Sequence, residues 1–273
     1  MLGNLARLLR YRALIQSLVA RELKARYRGS VLGFFWSFIN PLLLLLVYSI
    51  VFAYIMPARF TGGEEPKPFA DAYPYAVFLF CGLLPWTWFA STLNESAGVL
   101  ISGGNLIKKV LFPAEVLPIV SVLANMVHFF LGLLILLAFL IGYRHWPDSG
   151  DLVWFPIAVA VQLIFTAALG LILAALTVHF RDIRDLLANL LQLWFFATPI
   201  IYYWRQENVL RFKPLFDLNP FTHLAISYQE ILFFPGPFGH WKWLVALGAG
   251  SIALFLAAYW LFDRLRDSFA EAV

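Results

Sequence analysis

The chain has 273 residues, 62% of them hydrophobic and only 13% charged, with 27 Phe, 11 Tyr and 10 Trp. Soluble domains carry roughly 25% charged residues, so this composition excludes a water-soluble enzyme or binding module and implies a polytopic membrane protein. The single Cys81, inside an apolar run, leaves no intrachain disulfide to form.

In the first thirty residues Leu5, Leu8, Ile15, Leu18 and Leu23 recur at helical spacing, while Arg7, Arg10, Arg21, Lys24 and Arg28 fall on another face. The pattern predicts an amphipathic helix over 4–30, lying in the membrane interface. Its cations alternate with leucines, which suits an anionic membrane surface and not nucleic acid. Gly29 and Ser30 turn the chain into "VLGFFWSFINPLLLLLVYSIVFAYIM", Val31 to Met56. That run is longer than the ~7–15 residues of a signal-peptide core and lacks a cleavage site, so it reads as a first span.

A crossing helix needs ~20 apolar residues. Six segments qualify: 32–56, 75–97, 115–141, 153–178, 185–204 and 241–262. Thirteen Lys and Arg fall on the side of the two termini and seven on the other, which places both termini in the cytoplasm by the positive-inside rule.

Between spans two and three lies "NLIKKVLFPAEVLP", on the cytoplasmic side. Lys108 and Lys109 stand in a frame of Leu106, Ile107, Val110, Leu111 and Phe112, closed by Pro113. Gly103 and Gly104 allow a sharp turn before it. An apolar edge with two cations, terminated by proline, is suited to seating in a cleft of another protein. Between spans five and six, 205–240 is mostly apolar but interrupted by Asp217, Asn219, Pro220, His223, Gln229 and Glu230. Each ionised group near the bilayer centre costs ~2.5–3.5 kcal/mol. Two short helices dipping in from the outer face, broken at Asn219-Pro220, fit better than a seventh span. No internal repeat, low-complexity tract or soluble domain is evident, so the chain reads as one membrane domain, 1–273.

No phosphate-cradling G-x-x-x-x-G-K-[ST] occurs, and Gly-Lys is absent altogether. Five histidines are scattered over five regions, offering no metal cluster. His145/Asp148 and His179/Asp182 share a spacing but fall in loops on opposite sides. Asp182 and Asp185 alternate with Arg181 and Arg184 as a self-neutralised turn. No catalytic residue is assigned.

The segments "LVARELKARYRGSVLGFFWSFINPLLLLLVYSIVF", "GLLPWTWFASTL", "NLIKKVLFPAEVLP", "HFRDIRDLLANLLQLWFFATPIIY" and "LNPF", in that order, resemble the membrane subunit of type-2 ABC exporters of polysaccharides and teichoic acids. The likeness covers essentially the whole chain. It implies an all-α permease of six spans in the bacterial cytoplasmic membrane, with an interface helix, a cytoplasmic coupling helix in the 98–114 loop and re-entrant outer gate helices within 205–240. It implies a homodimer enclosing the channel and two copies of a separate ATPase that binds the ATP and Mg, so that this chain holds no cofactor. It implies as cargo a polymer such as O-antigen, capsule or teichoic acid on a polyprenyl-diphosphate lipid.

Under that resemblance Asn105, Leu106, Ile107, Lys108 and Lys109, with Phe112, Pro113 and Glu115, become the element that couples to the ATPase. Phe34, Phe38, Tyr48 and Phe52 on span one, and Trp194, Phe195, Tyr202 and Tyr203 on span five, become a sliding surface for sugar rings. Arg26 and Arg28 become guides for the lipid diphosphate, since guanidinium matches phosphate geometry. Asn219 and Pro220 become the hinge of the outer gate. Two rival readings are an exporter of another cargo, such as a lipid or drug, and a membrane-embedded glycan-modifying transferase. The second would require a convergent acid/base or metal cluster at one depth.

Overall fold

The computed structural model describes residues 11–51, 72–104, 113–142, 147, 150–205, 209, 211–234 and 236–272. In chain order these form α1 (Arg12–Arg26), a 3-10 turn (Gly33–Phe35), α2 (Trp36–Ile50), α3 (Ala72–Ser102), α4 (Val116–Gly142), a second 3-10 turn (Asp151–Val153), α5 (Trp154–His179), α6 (Asp182–Phe196), α7 (Lys213–Leu218), α8 (Pro220–Leu232) and α9 (Trp241–Ala272). No strand occurs among the described residues.

Four stretches are long and apolar enough to cross a membrane: Tyr75–Ser102, Val116–Gly142, Asp151–His179 and Trp241–Arg266. At 1.5 Å per residue each rises about 40 Å, more than the ~30 Å hydrocarbon core. The first and fifth expected spans differ. The first is helical over Trp36–Ile50 after a 3-10 turn, and residues 52–56 lie outside the described residues.

The fifth, expected over 185–204, is helical only over Asp182–Phe196, 15 residues. It ends where Thr198 Oγ1 turns back to the Trp194 carbonyl at 2.8 Å, ahead of Pro199, which has no N–H to continue the ladder. Residues 197–204 were apolar enough to resemble more span, but their backbone turns instead.

Packing centres on α3, which touches α2, α4, α5, α6 and α8, while α9 lies along α5. Among its largest fully buried side chains are Phe78, Trp88 and Phe89, with Phe221 and Tyr228 supplied by α8. Glycines leave room for side chains of the facing helix, a use of small residues common in membrane helix packing. A Cβ at Gly132 of α4 would lie 2.4 Å from Leu84 Cδ2 of α3, and one at Gly170 of α5 would lie 3.0 Å from Ser96 Oγ. The helix expected in the membrane plane, α1, lies against α4: Leu18 packs on Val116 and Val120, flanked by Tyr11, Leu14, Ile15 and Val19. Leu5, Leu8, Arg7 and Arg10 are outside the described residues.

Candidate functional site

Polar side chains gather at the two ends of the bundle. At the end carrying α1, Arg26 is held on three sides. Nη1 donates to Asn125 Oδ1 at 2.9 Å, Nη2 to Glu95 Oε2 at 2.6 Å, and Nε lies 3.6 Å from Glu22 Oε1. Asn125 Nδ2 also donates to Glu95 Oε2, at 2.7 Å. One carboxylate on α3 thus ties the interface helix to α4 by charge-assisted bonds.

The neighbouring Tyr27 extends the clamp, with its hydroxyl 2.6 Å from both His128 Nε2 and Ser37 Oγ. His128 Nδ1 lies 3.0 Å from the Ala124 carbonyl, which can only accept. In the neutral ring Nδ1 therefore carries the proton, Nε2 accepts from Tyr27, and Ser37 donates to Tyr27. A cavity of about 220 Å³ opens beside this chain, with Asn40, Thr87 and Ser91 also on its wall.

The two arginines assigned to phosphate guidance thus sit in different surroundings. Arg26 has its guanidinium engaged by protein carboxylate and amide, whereas Arg28 is exposed. The reading of the sequence missed Glu22, Glu95, Asn125, Tyr27, Ser37 and His128. An ionisable or amide side chain inside an apolar run was the available signal for Glu95, Asn125 and His128.

Of the coupling residues, Asn105 to Lys109 and Phe112 lie outside the described residues, and Pro113 and Glu115 mark where the chain re-enters the bundle. The Pro113 carbonyl accepts from Val116 N at 3.0 Å, starting α4. Glu115 is 3% exposed, with Oε1 3.8 Å from Arg266 Nη1 on α9. At the exit from α3 the reason for glycine is space and not backbone freedom. Gly103 has an ordinary φ, but a Cβ there would meet Leu117 Cδ1 at 2.7 Å.

The aromatic residues assigned to a polymer path separate as well. Trp194 meets Phe89 edge-on at 5.2 Å, and Phe195 lies 5.6 Å from Trp86, so both point into the protomer's own core. Tyr203 packs on Phe234 at 5.1 Å, and Tyr202 donates to the Phe196 carbonyl at 3.0 Å. The outward stripe of α6 is Leu186, Leu190, Leu193 and Phe196. On α2, Phe38 is half-buried and Tyr48 packs against the core. Phe52 and the side chain of Phe34 lie outside the described set.

At the other end Asn219, assigned to the hinge, uses both side-chain atoms in hydrogen bonds. Its Oδ1 accepts from Trp194 Nε1 at 2.7 Å and from Phe221 N at 3.1 Å, capping α8. Its Nδ2 donates to the Ala197 carbonyl at 3.1 Å and Thr198 Oγ1 at 3.0 Å. Pro220 sits in the first turn of α8, where its missing N–H is not needed.

Beyond α8, Glu230 accepts from the backbone N–H of Gly239 (3.2 Å) and His240 (3.1 Å) and pairs with Arg205 at 3.2 Å. Burial raises the Glu230 pKa, and Arg205 opposes that. Asp151 Oδ1 accepts from Phe238 N at 2.9 Å, so two carboxylates staple the same return loop. Among the described residues no group of three or more His, Cys, Asp or Glu side chains is placed to hold a metal.

A bundle of long apolar helices, with charged clamps at its two ends, is the framework of a multi-pass helical membrane protein. The chain belongs to the ABC-2 type transporter family, whose model matches residues 13–233. That bears out the resemblance in the motifs at the level of family. Over 268 residues it is 42% identical to the O-antigen export system permease protein RfbA of Myxococcus xanthus, covering 97% of each chain. It is 30% identical over 253 residues to an O-antigen export system permease protein RfbA of Klebsiella pneumoniae, covering 92% of this chain and 91% of that one. The polysialic acid transport protein KpsM of Escherichia coli is 22% identical over 221 residues, 78% of this chain and 80% of that protein.

Proposed function

We propose that this chain is the membrane subunit of an ATP-driven exporter that moves a lipid-linked polysaccharide of the O-antigen type across the bacterial cytoplasmic membrane. The observation that carries this reading is the end-to-end likeness, 42% over 97% of both chains, to a permease named for O-antigen export. In this reading two copies enclose the channel, α2 and the α6 region complete six crossings, and both termini face the cytoplasm. Two copies of a separate ATPase bind ATP and Mg and push on the 105–112 element, and the polymer passes in small steps between the halves.

The clamp geometry supports such a lever. Force entering between α3 and α4 reaches Glu95 and Asn125, and through Arg26 it reaches α1 and the mouth of α2. The exposed Arg28 is then the residue available to meet the lipid diphosphate, while α7 and α8 close the outer end.

The test reverses the charge of the peg with Lys108→Glu and Lys109→Glu together. The expected outcome is a membrane-inserted permease that no longer co-purifies with its ATPase, and surface polymer reduced at least about ten-fold, the effect of losing roughly 1.4 kcal/mol of docking energy. Full polymer display with the ATPase retained would overturn the coupling assignment. Polymer display unaffected by deletion of the gene would overturn the cargo and favour another substrate.

A further inference from the structure

At the end of the bundle that carries Asn219, a cleft of about 100 Å³ opens between α7, the first turns of α8 and the start of α9. A water occupies about 30 Å³ of liquid volume, so the cleft admits one edge of a six-membered ring and does not enclose a ligand. Trp204, Phe216 and Trp243 form its apolar walls. Trp243 is fixed from behind, its ring stacked on His223 at 4.4 Å and 7°, and it remains 44% exposed.

The polar groups on this cleft are left over from the fold. Thr222 is 1% exposed and lines the cleft, yet its Oγ1 has no hydrogen-bond partner among the described residues. A buried hydroxyl without a partner is destabilising, so the fold alone gives no reason for Thr over Val.

His240 is the second such group. His223 Nε2 lies 3.0 Å from the Asp217 carbonyl, which only accepts, so the neutral ring holds its proton there and accepts at Nδ1. His240 Nε2, 3.0 Å from that Nδ1, must then be the donor, which leaves His240 Nδ1 as an unprotonated acceptor. Burial, with His223 and Arg205 adding to it, pushes the His240 pKa down to about 4, so the ring stays neutral near pH 7. Lys213 and Asp217 stand one helical turn apart on the rim, and no ion pair joins them among the described residues.

One ammonium, one carboxylate, one hydroxyl and one imidazole lone pair make a balanced set. An anion would meet Asp217 and a cation would meet Lys213, but a ring bearing several hydroxyls satisfies both, while its C–H face lies on tryptophan. We propose that this cleft is a subsite for one hydroxyl-rich pyranose ring of the glycan, engaged at the outer end of the permease. This rests on the exporter reading and adds to it a place where the chain grips a sugar outside the span.

The experiment uses the intact permease–ATPase complex in lipid nanodiscs. The probe is glycan released from the producing strain's lipopolysaccharide by mild acid, free of lipid and diphosphate. Binding is read by saturation-transfer NMR and tryptophan fluorescence. Thr222→Val is the same shape and removes an unpaired hydroxyl, so its thermal midpoint should hold or rise while glycan affinity falls about five-fold, the worth of one hydrogen bond. Trp243→Ala should lose about ten-fold through its stacking face.

Wild-type affinity in both variants would overturn the subsite. So would a fluorescence response that follows nanodisc headgroup, phosphatidylethanolamine against phosphatidylglycerol, and ignores glycan. Should wild-type complex bind no glycan while gene deletion still abolishes surface polymer, the subsite falls and the exporter reading stands. Should deletion leave the polymer intact, both fall.

Discussion

Helices α2 and α8 are of similar length and are packed in opposite senses to what their sequences would suggest in water. The first, WSFINPLLLLLVYSI, has five consecutive leucines, yet only Ser37 and Leu45 are buried among its described side chains. The second, PFTHLAISYQEIL, contains Thr222, His223, Ser227, Gln229 and Glu230, yet every residue from Phe221 to Leu232 is buried.

In hydrocarbon the apolar side chain is at no disadvantage outside, while the polar one must find its partner in protein. Gln229 Nε2 reaches the Pro199 carbonyl at 3.1 Å, Ser227 the His223 carbonyl at 2.6 Å, and Glu230 the loop that follows. So α8 is held by directional bonds on several sides. α2 is tied at its foot through Ser37 and Tyr27, and Leu45 and Tyr48 pack it against the core. The polar helix is fixed by named hydrogen bonds within the protein, whereas the greasy one keeps Leu42, Leu43, Leu44 and Leu46 on its outer surface.

The largest effect expected from the polar side of this contrast is at Asn219, the joint on which α8 starts. Asn219→Ala removes the bonds to Trp194, Phe221, Ala197 and Thr198 together and should cost about 2–4 kcal/mol, at ~1 kcal/mol per bond and cap. Denaturant unfolding in detergent micelles measures it. Asn219→Asp keeps the acceptor for Phe221 and Trp194 while losing both donations, and should fall between. A loss under about 0.5 kcal/mol for Asn219→Ala would erase the distinction between the two helices.

How far this was legible in the sequence follows the same physics. The long spans could be read because ~20 apolar residues have few alternatives, and the break at Asn219-Pro220 because proline starts helices and asparagine caps them. The end of α6 was legible only in part. Pro199 is a local stop, but Ile200, Ile201, Tyr202 and Tyr203 continue the apolar run beyond it, and the amide that bonds the Ala197 carbonyl, Asn219, lies 22 residues further on. The Arg26 clamp could not be read. Arg26 looked like a free cation because two of its three partners lie 69 and 99 residues away in sequence, on helices whose facing is set only by packing. The core packing of Trp194 and Phe195 was hidden for a related reason, since helical spacing says which residues share a face but not whether that face meets a channel, lipid or the core.

A smaller effect sits at His240, beside the buried end of α8. Its pKa is lowered to about 4 from 6.5, by burial first and then by His223 and Arg205. The folded state therefore resists protonation that the unfolded chain accepts, so stability present above pH 6.5 is lost as pH falls towards 4. The loss should be on the order of 1–2 kcal/mol once screening is allowed for. Glu230, whose pKa is raised, works in the opposite direction above pH 4.5. His240→Gln retains Glu230 and a side-chain donor, so subtracting its thermal midpoints at pH 7 and pH 4.5 from those of the wild type isolates the histidine. An unchanged pH response in the variant would remove the titration from this end of the molecule.

The smallest effect is expected on α2. Leu43 and Leu46 are 47% and 53% exposed, and truncating either to alanine should change the unfolding free energy of the protomer by no more than about 0.5 kcal/mol. Leu224→Ala on α8, at 0% exposure, should cost about 2–5 kcal/mol for the same chemical deletion. Size-exclusion chromatography with light scattering gives the second reading. If Leu46→Ala leaves the unfolding midpoint alone but splits the assembly, that face of α2 meets protein and not lipid, which is what the proposed pairing of two copies requires. If neither quantity moves, the leucines face acyl chains, in which an apolar side chain is as well accommodated as in the core.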